Sequence, residues 1–266
     1  MNETLKRTLS GAVYITLLIS CILLSKESYY ILFGAFLLIA AYEFSLLIHF
    51  NKLLAVVISF VTYAILYNTN YIQVNDAILT GLTIIVSLYL IYFLFNSKSN
   101  LPPSLLKYIL LFGYIILPFI ILTKIPYGVK GYNPKIIISI FILIWTNDTF
   151  AYLIGKSIGK HKLYKIVSPK KTIEGFIGGL VFTLLVGYLV AVYYTKAAIN
   201  IWLVIAIIAS VFGTIGDLIE SKFKRIAGVK DSGKIMPGHG GVLDRLDSVI
   251  FVAPFVYLYY QILNFI

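Results

Sequence analysis

Nine apolar stretches, each about 15 to 22 residues long, dominate the chain. In a bilayer only a helix or a closed barrel satisfies its own backbone hydrogen bonds, and a helix of about 20 residues spans the hydrocarbon core. We therefore predict an all-α, polytopic integral membrane protein with about nine transmembrane helices in a single membrane domain, residues 1–266. The stretches lie at 9–24, 29–48, 53–67, 77–95, 108–122, 136–154, 173–194, 201–219 and 248–266.

The composition agrees with this class. Hydrophobic residues make up 60% of the chain and charged residues only 12%, whereas a soluble domain carries about 25% charged residues. The single cysteine, Cys21, excludes an intrachain disulfide and a zinc site built from several cysteines. The net charge of +11 is typical of basic cytoplasmic loops, and without a soluble basic and aromatic module we expect no nucleic-acid partner.

Basic residues fall unevenly on the two sides of the predicted helices. With nine helices, 17 of the 22 Lys and Arg residues share the side of the N-terminus and five lie on the other side. Because positive residues concentrate in cytoplasmic loops, we expect the N-terminus and the loops 155–172 and 220–247 to face the cytoplasm from the cell (inner) membrane. The five residues on the other side are Lys26, Lys124, Lys130, Lys135 and Lys196.

Carboxylates are scarce, and most lie in the second half of the chain. Seven of the eleven acidic residues fall between positions 148 and 247. A carboxylate near lipid is costly unless it is paired or binds metal, which makes these residues functional candidates. The alternative is that each pairs with a Lys or Arg and only holds helices together. The seven are Asp148, Glu174, Asp217, Glu220, Asp231, Asp244 and Asp247.

Two groups of these carboxylates have helical spacing. Asp217 and Glu220 are three residues apart at the end of the eighth stretch, and Asp244 and Asp247 are three apart before the ninth. Two such faces meeting at the membrane boundary favour a hard cation with oxygen ligands, and Mg²⁺ that nucleotide phosphates also hold fits best. A second cation is possible, and its identity is open.

The segment between these two groups is basic and rich in glycine. The run from Gly228 to Lys234 follows the P-loop pattern up to its last position, where Ile235 lacks the required hydroxyl, and no strand precedes it. We therefore reject a P-loop, although backbone N–H groups of a glycine-rich turn can converge on an anion. The cations suited to a triphosphate and a lipid phosphate are Lys224, Arg225, Lys230 and Arg245.

A second basic segment precedes the seventh stretch. Ser168 followed by Pro169 predicts a helix start with Ser168 as N-cap. A helix N-terminus that carries Lys170 and Lys171 is either a phosphate site or a positive anchor at the end of a span. His239, between two glycines, either contacts phosphate or transfers a proton, or it is a structural hydrogen-bonding residue.

The residues from Ser221 to Asp247 closely resemble the signature of the bacterial phosphatidate cytidylyltransferases, also called CDP-diacylglycerol synthases. That signature runs as Ser, Lys-Arg, four residues, Lys-Asp, a Pro-x-His-Gly-Gly turn and Asp-Arg-x-Asp. The chain supplies Ser221, Lys224-Arg225, Lys230-Asp231, Pro237, His239-Gly240-Gly241 and Asp244-Arg245-Leu246-Asp247. The upstream segments WTNDTFAYLIG and SPKKTIEG resemble the family's other blocks, so the match covers roughly residues 140–250.

The resemblance implies transfer of CMP from CTP to phosphatidic acid of the inner leaflet, giving CDP-diacylglycerol and pyrophosphate for phospholipid biosynthesis. It also implies a homodimer, a metal pair at Asp217 and Asp244, and residues 136–266 as the catalytic half. We expect as catalytic residues Asp217, Asp244, Lys224, Arg225, Lys230, Asp231, His239, Arg245 and Asp247. We expect as substrate-binding residues Asp148, Lys170, Lys171, Glu174, Ser221, Gly240 and Gly241.

Two other functions fit parts of the pattern. A CTP-dependent membrane kinase of a polyprenol or phytol type also combines apolar helices with basic loops, but it releases CDP instead of pyrophosphate. An ion-coupled transporter also carries intramembrane carboxylates. Transporter carboxylates belong near the middle of the membrane, whereas most of those in this chain lie at one boundary beside a basic loop. That position favours an enzyme.

Overall fold

The computed structural model describes residues 3–67, 75–96, 101–128 and 131–263, and nine helices make up most of this part of the chain. They are α1 Glu3–Leu24, α2 Lys26–Leu47, α3 Lys52–Tyr67, α4 Asp76–Phe95, α5 Ser104–Lys124, α6 Pro134–Ile158, α7 Ile173–Thr195, α8 Ile199–Ile226 and α9 Leu243–Ile262. Two antiparallel hairpins join helices: β1 Tyr127–Gly128 with β2 Gly131–Tyr132, and β3 Lys162–Tyr164 with β4 Ser168–Thr172. Each predicted apolar stretch therefore corresponds to a helix.

Seven of these nine helices, all except α3 and α9, are long and apolar enough to cross a membrane. Helix α3 has only 16 residues, and α9 carries Asp and Arg side chains in its first turns. The prediction of an all-α polytopic membrane protein is confirmed, whereas the number of nine crossings and the orientation stay predictions. Two residues used for the orientation, Lys98 and Lys130, lie outside the described residues.

Helices α6, α7, α8 and α9 pack against one another in chain order. Small residues at such contacts let helix backbones approach closely. A Cβ atom at Gly179 in α7 would lie 2.9 Å from the carbonyl oxygen of Asn147 in α6, and one at Gly216 in α8 would lie 2.9 Å from that of Asp247 in α9. These close approaches bring the polar residues of α6, α8 and α9 to a common region.

The predicted helix start at Ser168 is wrong. Ser168–Thr172 is strand β4, which pairs with β3 so that Lys162 lies opposite Thr172. Helix α7 begins only at Ile173, because the Thr172 hydroxyl caps it by accepting the Gly175 N–H at 3.1 Å. A proline is compatible with β4 because a two-stranded ribbon leaves one edge of each strand open. The lysines that follow Ser168 therefore lie on a hairpin and not at a helix N-terminus.

Lys222 of α8 is buried and fastens this helix to the carboxyl end of α4. Its Nζ atom donates to the carbonyl oxygens of Phe93 at 2.5 Å, Leu94 at 3.2 Å and Asn96 at 2.6 Å. The last carbonyls of a helix have no intrahelical partner and carry partial negative charge, so a cation is favourable there. Lys222 is therefore a structural connection between two helices.

Replacing Lys222 by methionine tests this connection, since methionine keeps an apolar stem and removes the ammonium group. We expect Lys222→Met to lower the free energy of unfolding by about 2 kcal/mol, because three carbonyls lose a charged donor. Thermal unfolding in detergent measures the effect. Lys26→Met is the matched control, because Lys26 forms only an exposed 3.7 Å pair with Glu27 and should change stability by about 0.5 kcal/mol or less. Equal melting temperatures for the two variants would contradict the prediction.

Candidate active site

A pocket of about 730 Å³ opens between α6, the β3–β4 hairpin, α8 and the start of α9. Its volume is that of ordinary small-molecule sites, but its lining is highly charged where such sites are mostly apolar. Six cations line it: Lys156, Lys162, Lys170, Lys171, Lys224 and Arg245. Five carboxylates line it as well: Asp148, Asp217, Asp231, Asp244 and Asp247. Such a pocket suits a polyanionic ligand that is accompanied by cations.

Asp217 of α8 forms an ion pair with Lys171 of the hairpin. Lys171 Nζ lies 2.5 Å from Asp217 Oδ2, and the Ser221 hydroxyl, one turn further along α8, donates to Oδ1 at 3.2 Å. Burial disfavours the charged form of Lys171, but the Asp217 carboxylate, together with Asp148 and Asp247, outweighs this effect and raises the pKa of Lys171 above its ordinary value. Lys171 therefore carries a positive charge at neutral pH and neutralises Asp217.

Asp244, in the first turn of α9, accepts hydrogen bonds from three segments. Lys224 Nζ lies 2.6 Å from Oδ1. Oδ2 accepts the N–H and the hydroxyl of Ser232, each at 2.8 Å, and the N–H of Gly241 at 2.7 Å. Gly240 permits this close approach, because its φ is +89° and a Cβ atom there would lie 2.6 Å from Oδ2. The surrounding turn thus fixes the orientation of the Asp244 carboxylate.

Asp148 and Asp247 complete the acidic wall of the pocket. Asp247 is only 8% exposed and accepts the Ser248 N–H at 2.6 Å. Asp148 is exposed toward the pocket on α6. Within the described ranges, no Lys or Arg nitrogen lies at ion-pair distance from either carboxylate. Neither carboxylate is therefore held in a direct ion pair by the pocket's own cations.

Whether this wall fits a metal ion depends on which carboxylates it offers and which of them already form ion pairs. Lys224 pairs with both Asp244 and the buried Glu220, and Lys171 pairs with Asp217. Asp148, Asp231 and Asp247 line the same pocket without such a pair among the described residues, and oxygen donors of this type suit a hard divalent cation. Among the described residues, however, no three His, Cys, Asp or Glu side chains converge into a preformed metal centre. The donor chemistry fits Mg²⁺, while Lys171 and Lys224 occupy positions beside the carboxylates.

The pocket brings together most of the predicted site residues. Their assigned roles stay predictions, but their common location follows directly from the fold. The lining includes Asp148, Lys170, Lys171, Asp217, Lys224, Asp231, Asp244, Arg245 and Asp247. Ser221, Gly240 and Gly241 do not line the pocket but contact its Asp217 or Asp244 carboxylate.

Four other predicted residues lie away from the lining. Arg225 is exposed and donates to the Val229 carbonyl at 3.1 Å, and Lys230 is exposed in the loop between α8 and α9. Glu174 accepts the N–H groups of Lys160 and His161, each at 3.1 Å. Glu174 therefore holds the start of the hairpin that carries Lys170 and Lys171, a supporting position beside the pocket.

His239 is the fourth, and it faces α1. Its Nδ1 atom lies 2.6 Å from the Ser10 hydroxyl, which also contacts the Pro237 carbonyl at 2.9 Å. Burial, together with the positive charges of Arg245 and Arg7, lowers the pKa of His239 below its ordinary value, so the ring is neutral at pH 7. Arg245 also donates to the His239 carbonyl at 2.8 Å. These contacts favour the structural alternative for His239.

Two lysines of the lining were missed as site residues by sequence reasoning. Lys156, at the end of α6, and Lys162, in β3, both line the pocket. In the sequence they lie in a lysine-rich loop whose charges indicate only which side of the membrane it faces. Only the hairpin pairing places Lys162 beside the segment that carries Lys170 and Lys171.

Glu43 of α2 is another residue that sequence reasoning missed. It is 1% exposed and accepts the N–H groups of Val242 at 3.2 Å and Leu243 at 2.8 Å, and the Ser232 hydroxyl at 3.4 Å. Because the first N–H groups of a helix lack intrahelical partners, Glu43 acts as the N-cap of α9 from a different helix. The available signal was a lone carboxylate inside an apolar stretch.

Comparison with known proteins identifies the class. A model of the cytidylyltransferase family matches residues 5–263, so the chain belongs to the cytidylyltransferase family, and the predicted resemblance is confirmed. Proteins named phosphatidate cytidylyltransferase from Staphylococcus haemolyticus and Staphylococcus aureus are 51% identical to it over 130 residues, and one from Staphylococcus saprophyticus is 50% identical. Each alignment covers 48% of this chain and 50% of the relative. The chain thus spans about half the length of the curated relatives it matches.

Removing the Glu43 carboxylate tests its hold on the loop between α8 and α9. In Glu43→Ala three donors lose their acceptor, so we expect local opening of this loop to become easier by about 1.4 kcal/mol or more. Limited trypsin digestion in detergent should then cut at Lys230 and Lys234 about tenfold faster. Glu27→Ala is the matched control on the same helix, because the exposed Glu27 carboxylate contacts Lys26 and Ser25 at the start of α2 and not the loop between α8 and α9. Equal cleavage rates in the two variants would exclude the proposed cap.

Proposed function

We propose that the protein is a phosphatidate cytidylyltransferase, which transfers CMP from CTP to phosphatidic acid and releases pyrophosphate. The observation that carries this proposal is the pocket in which six cations and five carboxylates line one cavity at the ends of apolar helices. A triphosphate and a lipid phosphate are both anionic, so a site that joins them needs many cations. The names of the staphylococcal relatives support the same substrates.

The reaction is an in-line displacement at the α-phosphorus of CTP. A phosphate oxygen of phosphatidic acid forms the new bond to phosphorus, and the bond to the bridging oxygen of the β-phosphate breaks. That oxygen leaves with its electron pair as part of pyrophosphate. The attacking phosphate is already ionised, so the reaction needs no general base to create the nucleophile. His239, which is neutral and contacts the Ser10 hydroxyl, is therefore not required as a base.

The main task of the protein is to bring two anions together. Lys156, at the end of α6, and Lys162 and Lys170, in the hairpin, line the pocket and can bind the triphosphate. Arg245, next to Asp244 in α9, also lines it and can bind phosphate through its planar fork of donors. Fixed positive charges that meet the charge developing on the transferred phosphoryl group lower the barrier without reorganising during the reaction.

The proposal places Mg²⁺ at Asp217 and Asp244, with Asp247 and Asp148 on the same wall as further oxygen donors. When bound, the ion would supply charge stabilisation to phosphate oxygens. Lys171 and Lys224 neutralise the two aspartates, and they can turn to phosphate oxygens when their carboxylates bind a cation. We also propose that this pocket lies on the cytoplasmic side at the inner leaflet, which the uneven distribution of Lys and Arg residues supports. We further propose a homodimer, which the family resemblance supports.

The activity is tested by incubating the purified protein with CTP labelled in cytosine, Mg²⁺ and phosphatidic acid. We expect the label in the lipid fraction as CDP-diacylglycerol, with one pyrophosphate released for each CTP consumed. Omitting phosphatidic acid, or replacing it by diacylglycerol, is the control and should give no labelled lipid. Release of CDP with a phosphorylated lipid would instead identify a CTP-dependent kinase and overturn the proposal.

The metal assignment is tested by Asp217→Asn and Asp244→Asn. Each change keeps the side-chain shape and removes a charged oxygen donor, so we expect turnover to fall about 100-fold or more. Binding of Mn²⁺, followed by electron paramagnetic resonance without substrate, should weaken in parallel. Asp76→Asn is the control, because Asp76 pairs with Lys124 and Tyr257 away from the pocket. Near-normal turnover and Mn²⁺ binding in either site variant would refute the assignment.

A further inference from the structure

A second pocket, of about 390 Å³, adjoins the first. The two pockets share part of their walls, because Asp148, Asp244, Arg245, Asp247 and Ser248 line both of them. The two pockets differ in the helices that line them, since α1 contributes residues to the second pocket and none to the first. A ligand in each pocket would therefore meet the other ligand at the shared wall.

The second pocket has the lining expected for an amphiphile. Its residues from α1 and α6 include Gly11, Ile15, Ile144 and Trp145, which are apolar or small. Among the described residues that line it, Arg245 is the single Lys or Arg side chain, whereas five lysines line the first pocket. Apolar side chains from two apolar helices next to Arg245 suit a molecule with hydrocarbon chains and a phosphate headgroup, which would share the wall of Asp148, Asp244 and Asp247 with the proposed Mg²⁺.

Tyr14 of α1 provides an independent indication of a ligand. It lines the second pocket and is only 8% exposed, and its hydroxyl has no hydrogen-bond partner within the described part of the chain. Leaving a buried hydroxyl without a partner is unfavourable. Tyr14 also lies within electrostatic range of Arg245 and Asp247 of the shared wall. A headgroup bound at this wall would offer the hydroxyl an acceptor.

The position of α1 along this pocket is fixed by specific contacts. The Ser10 hydroxyl contacts both His239 and the carbonyl of Pro237. A Cβ atom at Gly11 would lie 3.3 Å from the His239 ring, so the helix lies directly against the turn. Arg245 is connected to the same turn through the His239 carbonyl. Helix α1 and Arg245 are therefore held relative to each other, as a defined binding site requires.

We infer that this second pocket binds the lipid substrate, with the phosphate monoester headgroup at Arg245 and the Tyr14 hydroxyl and the proximal hydrocarbon between α1 and α6. The inference rests on the proposed function, and it assigns the two anionic substrates to separate pockets. The nucleotide occupies the lysine-rich pocket, and the two phosphates meet at the shared wall of aspartates. Helix α1 is then part of the lipid site and not only a membrane anchor.

The first test narrows the pocket with a bulky side chain. Ile15→Trp places an indole at a lining position, and overpacking there disfavours the bound lipid. We expect the KM for phosphatidic acid to rise about tenfold, with the KM for CTP nearly unchanged. Leu17→Trp is the matched control on the same helix: Leu17 is 47% exposed, against 45% for Ile15, and it does not line the pocket. Unchanged lipid KM in Ile15→Trp, or equal effects in both variants, would overturn the inference.

The second test removes the unpartnered hydroxyl. We expect Tyr14→Phe to raise the KM for phosphatidic acid about fivefold, equivalent to one lost hydrogen bond, without a comparable change for CTP. Tyr114→Phe is the matched control, because Tyr114 is also buried, its hydroxyl also lacks a partner within the described residues, and it lines neither pocket. A lipid KM that is unchanged in Tyr14→Phe, or equally raised in both variants, would show that this hydroxyl does not contact the headgroup.

A binding measurement separates this inference from the proposed reaction. Phosphatidic acid added to the detergent-solubilised protein should raise its melting temperature more than phosphatidylcholine with the same acyl chains, and Ile15→Trp should abolish the difference. If the wild-type protein shows this lipid effect but forms no CDP-diacylglycerol, the reaction is wrong and the lipid pocket stands. If it forms CDP-diacylglycerol and Ile15→Trp keeps the full lipid effect, the pocket assignment is wrong and the reaction stands.

Discussion

The cost of placing charge at the edge of an apolar helix bundle governs this structure. Carboxylates of α8 and α9 can remain ionised there only with cations beside them. Lys171 reaches Asp217 from the β3–β4 hairpin, and Lys224 lies between Glu220 and Asp244. The same ion pairs that stabilise the fold also hold charged groups that can change partners. The lysines can pair with a polyanionic ligand, and the carboxylates can pair with its cations. Stability and binding therefore depend on the same few atoms.

This exchange explains why the pocket carries both signs of charge. A purely basic pocket would bind a triphosphate tightly but would repel the cations that phosphoryl transfer uses, whereas a purely acidic one would repel both substrates. The lysines of the hairpin and the aspartates of α8 and α9 line one cavity, and Lys171 pairs directly with Asp217. Cations and carboxylates side by side allow phosphates and metal ions to enter together with little net change of charge.

The two halves of the chain depend on each other. Every residue that lines the first pocket comes from positions 147–248, within the part 136–266 whose assignment as the catalytic half stays a prediction. The turn that bears Asp244, however, is held from outside this half. Glu43 of α2 caps α9 and contacts Ser232. The Ser10 hydroxyl of α1 forms hydrogen bonds with Pro237 and His239. The first two helices therefore set the geometry of the site that the second half supplies.

The sequence by itself determined the nine helices, their approximate places and the signature from Ser221 to Asp247, because long apolar runs and dense polar motifs are local patterns. Local patterns failed at Ser168, where the choice between a helix start and a strand depended on pairing with β3. They also could not show that Glu43 caps α9 or that Lys162 faces the pocket. Only the tertiary structure decided these points, because hydrogen bonds and ion pairs between distant segments depend on how the helices pack.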